Sequence, residues 1–353
     1  MFQQIQIGEY SHFRVDPLTG WNAVLISPSR KSRPNSKPKI PVFAYPLNIP
    51  ESDKECPFCP GNEKQTPKEL GRVSVNGLWQ ARGTVNKYPC QQLEAGNGLE
   101  KKKHPRQLWP YLFTAEGSHE LIIDSPFHNA VLSKTKGEDV APCLVLLTWR
   151  YEESRGFNFS YFRSFKNYGD DAAASMVHPH WQIVVSNFCT PHLYQMLKRF
   201  EEFARENEGV CPLCLMMENR IIGETDNFRA CVPLVPFDNY EVIIAPRRHI
   251  SNFAYQLKKE SLAIEFAELL SKVIRCVKRA IQEPVLPNEW EKHSDPPYNI
   301  WLNTAPYTAE AGFFHWNMQI RFLTSKDGGY EKGTGAKIIT AYPEDVAELL
   351  KKM

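Results

Sequence analysis

HPHWQIVV, residues 178–185, and HWNMQIRF, residues 315–322, are two versions of one short phrase. They agree at His178/His315, Gln182/Gln319 and Ile183/Ile320 with the same internal offsets, and differ where His180 corresponds to Asn317. Side chains two apart on an extended strand face the same way, so His178, His180 and Gln182 are expected on one face. Pro179 suits a strand entry or edge.

Working outward, the phrase ends a longer repeated order. CPFC at 56–59 and CPLC at 211–214 are each followed by an isolated histidine, His128 in SPFHNAV and His249 in APRRHISNF, and then by His178 or His315. A Cys-x-x-Cys turn sets two thiolates on one tetrahedral cation, and two imidazoles close a Cys2His2 shell. The expected ligands are Cys56, Cys59, His128 and His178, and Cys211, Cys214, His249 and His315. Together they account for four of nine cysteines and four of ten histidines. Four protein ligands leave no open position, so both zinc sites read as structural. His119, nine residues before His128, is the rival ligand of the first set; it has no counterpart in the second half.

The middle histidine is kept once. With His178 spent on metal, His180 is free to attack an electrophile, and Gln182 is a nearby amide donor. Asn317 cannot act as a nucleophile, so one half is expected to carry chemistry and the other to keep the scaffold.

Composition frames these readings. Apolar residues at 42% and charged residues at 23% are ordinary for a globular chain of 353 residues, long enough for two domains. A formal charge of +2 gives no strong attraction to nucleic acid or anionic membrane. MFQQIQIGEYSHF lacks the apolar core of a signal peptide, and no run of about 18 apolar residues occurs. A cytoplasmic protein is expected, and in a reducing compartment close cysteine pairs favour metal over disulfides.

Strands are expected at 119–124, 157–165, 181–187, 240–246, 299–304 and 318–323. Helices are expected at 190–209, 257–282 and 343–352. Thr190, Pro191 and Gly209 mark the cap, first turn and stop of the first helix. Similar orders in both halves point to an α+β fold built by duplication.

FKNYGDDAAASMVHPHWQ (165–182) resembles the active-site segment of the galactose-1-phosphate uridylyltransferases, the transferase branch of the histidine-triad superfamily. The family's Asn thirteen residues before the nucleophile and its Ser five before it fall at Asn167 and Ser175. DPLTGWNAVLISPSRKSRP (16–34) is similar to the family's N-terminal stretch, with its arginines at Arg30 and Arg33, and Asn86 in VNKYP matches a nucleotide-contacting position. The resemblance runs from about residue 13 to the end and implies two tandem histidine-triad-like domains. Each would be an antiparallel sheet with helices: 1–190, catalytic, and 191–353, without a nucleophile. It implies a homodimer and a double displacement in which His180 takes a nucleoside monophosphate from a nucleotide sugar and passes it to a sugar 1-phosphate. Gln182, Ser175 and Asn167 would contact the phosphate or nucleotide, and Arg30 and Arg33 would neutralise charge. Where the uridylyltransferases carry a hexose-binding Glu, this chain has Gly335, and Glu331 is the nearest substitute. NKYP, YEKGTGAKI (330–338) and the second Cys2His2 set also resemble the ADP-glucose phosphorylases, which use inorganic phosphate. Two further readings are a dinucleoside-polyphosphate phosphorylase or hydrolase of the same superfamily, and a silent zinc-stabilised binding protein. Intact His180 and Gln182 argue against the last.

Overall fold

A computed structural model of the chain describes residues 11–20, 22–32, 42–92, 116–157, 161–307 and 312–353. The first half contributes β1 (His12–Val15), β2 (Ala23–Ile26), β3 (Glu69–Val75), β4 (Leu78–Val85), β5 (Gly117–Ile123), α1 (Gly137–Ser154), β6 (Tyr161–Tyr168) and β7 (His180–Ser186). After α2 (Pro191–Glu206) and the short α3 (Pro212–Met216) come β8 (Ile221–Glu224), β9 (Phe228–Cys231), β10 (Val242–Pro246), α4 (Ala254–Leu257), α5 (Glu260–Gln282), β11 (Tyr298–Asn303) and β12 (Asn317–Phe322). The chain ends with α6 (Gly329–Thr334), β13 (Lys337–Ile339) and α7 (Pro343–Lys351). Three strands, a long helix and two strands therefore occur twice in the same order.

Ten of the strands form one sheet in the order β3-β4-β5-β7-β6-β11-β12-β10-β9-β8. The pairing is antiparallel throughout. Each half supplies five strands, and the order reads as a mirror image about the β6–β11 seam, where Tyr168 lies opposite Tyr298 and Lys166 opposite Ile300. The chain is thus a mixed α+β protein with one large antiparallel sheet.

One face of the sheet is covered by α1 and α5, which also pack on each other. Ile122, Phe162, Trp181, Ile183, Val185, Ile244, Ile300 and Met318 meet Leu144, Leu147, Tyr151, Leu270 and Ile274 there in one buried core. The alternation of β7 sends Trp181, Ile183 and Val185 to this side, so Trp181, beside His180 in the chain, is core. His180 and Gln182 face the other way.

A separate sheet of β1, β2 and β13 packs Val24, Ile26 and Ile339 against Val235. The expected helix at 190–209 is α2: Thr190 accepts from Leu193 N, and Gly209, at φ +83°, donates to Ala204 O. The sequence reading had no helix between 124 and 157, where α1 stands. Pro142 inside α1 reads as a breaker, but it lies early in the helix and costs one intrahelical donor. The outward-facing positions 142, 145 and 149 carry Pro, Val and Trp, so the less buried face is itself apolar in sequence and the helical period is blurred.

Candidate active site and metal centres

The CPFC loop lies against the open face of the sheet beside β5 and β7. The ligand atoms of Cys56, Cys59, His128 and His178 all lie within 4.8 Å of one another. Cys59 Sγ is 3.6 Å from His128 Nδ1 and 3.5 Å from His178 Nδ1, and Cys56 Sγ is 3.7 Å from His178 Nδ1. A tetrahedral zinc with bonds of about 2.3 Å to sulfur and about 2.0–2.1 Å to nitrogen gives S···N edges of about 3.5 Å, so the set fits. His178 Nε2–H donates to Ser125 O at 2.9 Å, which leaves the Nδ1 lone pair aimed at the thiols. Burial pulls this imidazole down to about 4 and pushes the Cys56 thiol up to about 11.

Cys211, Cys214, His249 and His315 converge in the same way. Cys214 Sγ is 3.2 Å from His315 Nδ1 and 3.7 Å from His249 Nδ1, and His249 Nε2–H donates to Gly312 O at 2.7 Å. Two Cys/His groups able to hold a metal ion are therefore present, with the residues the repeat singled out. His119 belongs to neither.

His180 opens β7, buried at 5% exposure, with its ring 5.4 Å from that of Phe58 of the CPFC loop. Its Nδ1–H donates to His178 O at 3.0 Å, leaving the Nε2 lone pair free. Burial, the first cause, holds this imidazole below the usual histidine value and so neutral. Asn317 makes the matching bond in the other half, its Nδ2 donating to His315 O at 3.1 Å. Asparagine thus reproduces what the Nδ1 edge of His180 does for the backbone and lacks the second nitrogen.

Gln182 shares the open face with His180. Its Oε1 is 3.0 Å from His119 Nε2, and Asn86 Nδ2 lies against the same imidazole. Asn167, on β6, donates to Ala173 O at 3.3 Å and accepts from Asn299 Nδ2 of β11 at 2.9 Å. Asn299 also donates to Ala172 O, so a residue of the second half braces the turn carrying Ser175, which is exposed just before Pro179. In the same turn Asp170 is exposed and Asp171 pairs with Lys326 at 3.2 Å.

Arg30 and Glu331 lie on elements that flank the small sheet. Arg30 sits in the 3-10 turn Pro28–Ser32 that follows β2 of the small sheet. Glu331 accepts from Gly328 N at 2.9 Å and caps its own helix α6, which runs on through Gly335 to β13. Among the described residues no hydrogen bond or ion pair joins either to the His180 group. Arg33 lies outside the described residues.

Sequence reasoning passed over Phe58 as the wall of the His180 ring and Asn299 as the brace of Asn167. It also passed over the buried pair Lys166–Asp124, at 2.8 Å. That pair ties β6 to the end of β5 across β7. No spacing rule points to them, because each contact joins residues far apart in the chain.

The family model described as galactose-1-phosphate uridyl transferase, N-terminal domain, matches residues 1–190. The chain belongs to that family. Among the relatives of this galactose-1-phosphate uridyl transferase family member is the ADP-glucose phosphorylase of Arabidopsis thaliana, 28% identical over 96% of this chain and 92% of that protein. The galactose-1-phosphate uridylyltransferase of Thermotoga maritima is 26% identical over 96% of this chain and 97% of its own. The crystal structure of the Arabidopsis thaliana ADP-glucose phosphorylase with bound ADP-glucose superposes with a TM-score of 0.78 at 28% identity, covering 98% of this chain and 99% of that one.

Proposed function

We propose that the chain moves a nucleoside monophosphate from a nucleotide sugar to a phosphate-bearing acceptor through a covalent nucleotidyl-His180. His180 Nε2 attacks the α-phosphorus, the bond to the sugar phosphate breaks, and a sugar 1-phosphate leaves. In the second step an acceptor oxygen attacks the same phosphorus and the P–N bond breaks. The observation that carries this reading is the contrast between His180 and Asn317: both hold the carbonyl two residues back, and only the histidine keeps a nitrogen for phosphorus. Gln182, Ser175, Asn167 and Asn86 serve the phosphate and nucleotide, with Arg30 and Arg33 as cationic partners. Gln182 Nε2 is the donor for a non-bridging oxygen.

Zinc is the metal proposed for both Cys/His groups, with a structural role; the first fixes Phe58 and the backbone on which His180 rides. The mirrored sheet supports an origin by internal duplication, with 1–190 as the catalytic histidine-triad-like half and 191–353 as the half without a nucleophile. The cytoplasm is the proposed compartment, in keeping with nine free cysteines, and no described helix is long and apolar enough to cross a membrane. A homodimer is proposed from the family alone.

A sugar 1-phosphate such as galactose 1-phosphate, with UDP-glucose as donor, is the first acceptor reading. A second, ADP-glucose with inorganic phosphate, is favoured by two observations. Glu331, the candidate hexose contact, is taken up in capping α6. The similar structure with a TM-score of 0.78 holds ADP-glucose. The test is to load the protein separately with UDP-glucose and ADP-glucose, read the adduct by intact mass, and chase it with galactose 1-phosphate or phosphate. Faster discharge by galactose 1-phosphate supports the first reading; loading from ADP-glucose with faster discharge by phosphate supports the second. No adduct from either donor defeats both.

A further inference from the structure

His119 is buried on β5 at 8% exposure, beside β7 and outside the metal set. Cys90 N lies 3.1 Å from its Nδ1, and Gln182 Oε1 lies 3.0 Å from its Nε2. A backbone N–H only donates, so Nδ1 must present its lone pair to Cys90. The single proton of the neutral ring then sits on Nε2 and is donated to Gln182 Oε1. Asn86 Nδ2 lies 3.0 Å from Nε2 and 3.4 Å from Nδ1; being close to both nitrogens, it sits over the ring face and outside the plane of both bonds. The reversed amide would set the Gln182 NH2 group against this Nε2–H, donor facing donor. A backbone group that cannot flip therefore decides which way a side-chain amide points.

The other half lacks this device. Leu121 pairs with Gln182 and Ile243 with Gln319, so the position matching His119, two residues earlier on the neighbouring strand, is Glu241. Glu241 accepts from Phe237 N, and the oxygen of Gln319 is met by Asn303 Nδ2 at 3.2 Å instead.

We infer that His119 is the positioning residue of Gln182: its Nε2–H holds the amide oxygen so that the NH2 group, on the same face as His180, is turned toward the phosphate. This rests on the nucleotidyl-His180 reading above. Among the described residues Gln182 Nε2 has no other partner, so both of its hydrogens are available to non-bridging oxygens.

The test is a double-mutant cycle on the single-turnover rate of adduct formation, with His119→Ala, Gln182→Ala and the double variant. Gln182→Ala is expected to slow loading about 100-fold, as loss of one preorganised donor does. His119→Ala is expected to slow it roughly 10- to 100-fold, since misplacement of the donor is its whole effect. The double variant should be no slower than Gln182→Ala alone to within about twofold, whereas independent roles multiply. His119→Gln, which keeps an acceptor for Cys90 N and a donor for Gln182, should recover most of the rate and carries the cycle if the alanine variant fails to fold. Multiplicative losses, or no rescue by glutamine, overturn the inference. Metal content unchanged in His119→Ala separates this role from that of a ligand.

If wild-type protein forms no adduct, the proposed function falls while the positioning claim is still decided by nitrogen NMR of histidine-labelled protein. The signal lost in His119→Ala should be a neutral Nε2–H tautomer whose Nε2 shift moves in Gln182→Ala. An Nδ1–H tautomer, or a shift that Gln182→Ala leaves unmoved, overturns the claim.

Discussion

At residue 180 the chain makes one choice that its other half reverses. Because Asn317 shows that asparagine fits this strand entry and makes the same carbonyl bond, His180→Asn should fold with unchanged metal content and melting temperature. It should form no nucleotide adduct by intact mass and lose turnover by about 10⁴-fold or more, the scale seen when a covalent nucleophile is removed. A second residue, Glu241, gives a pH signature. Burial holds its carboxyl up at about 7 from an ordinary 4.5, with Arg321 lowering it and Asp238 and Asp16 raising it. Between those values the folded chain keeps a proton that the unfolded chain releases, so stability falls as pH rises through the window. Glu241→Gln keeps an acceptor for Phe237 N and removes that loss. It should raise the melting temperature at pH 8, by on the order of 3 kcal/mol of stability, and leave it unchanged at pH 4.5.

At the scale of elements, the turn between β6 and β7 joins the seam to the nucleophile. It starts at Gly169, with φ +91°, where a Cβ would meet Ala44 Cβ at 2.7 Å and Pro297 Cβ at 3.1 Å. Gly169→Ala must strain the backbone and push on the 44–45 loop and on Pro297 of the other half together. A loss on the order of 2 kcal/mol is expected in denaturant melts, with slower loading because the turn carrying Ser175 shifts. Parent stability with parent loading would show that this turn does not hold the site. The helix α2, by contrast, was readable in full from Thr190, Pro191 and Gly209, since capping and the helical period are local. The long α1 was not, because Pro142, Val145 and Trp149 on its outer face interrupt the polar stripe that would mark its period.

For the whole molecule, the continuous ten-stranded sheet means that each Cys/His group belongs to one half of a shared scaffold, beside β5 and β7 or beside β10 and β12. Elemental analysis should give two zinc ions per chain. A Cys211→Ser/Cys214→Ser variant should bind one, melt roughly 5–10 °C lower, the shift expected for about 3 kcal/mol in a large domain, and still form the adduct. One zinc in the parent would leave the second group a relic, and none would remove the metal reading altogether. Loss of the adduct in that variant would show instead that the second half supports the chemistry directly.

The repeated phrase, the two Cys-x-x-Cys pairs and their histidines were legible in the sequence because ligand identity and strand alternation are short-range properties. They were enough to name the eight residues of the two Cys/His groups and to separate His180 from His178. The family resemblance supplied Asn86, Asn167 and Ser175. Only the tertiary structure decided that the two halves join into one sheet through β6 and β11, that Trp181 is core, and that Asn299 reaches across to Asn167. It alone moved His119 from rival ligand to partner of Gln182, and showed Arg30 in the turn after β2 and Glu331 capping α6. The physical reason is common to all of these. Antiparallel pairing and side-chain packing join residues tens to hundreds of positions apart, and which strand lies beside which is chosen by the burial of a shared core that no local pattern encodes.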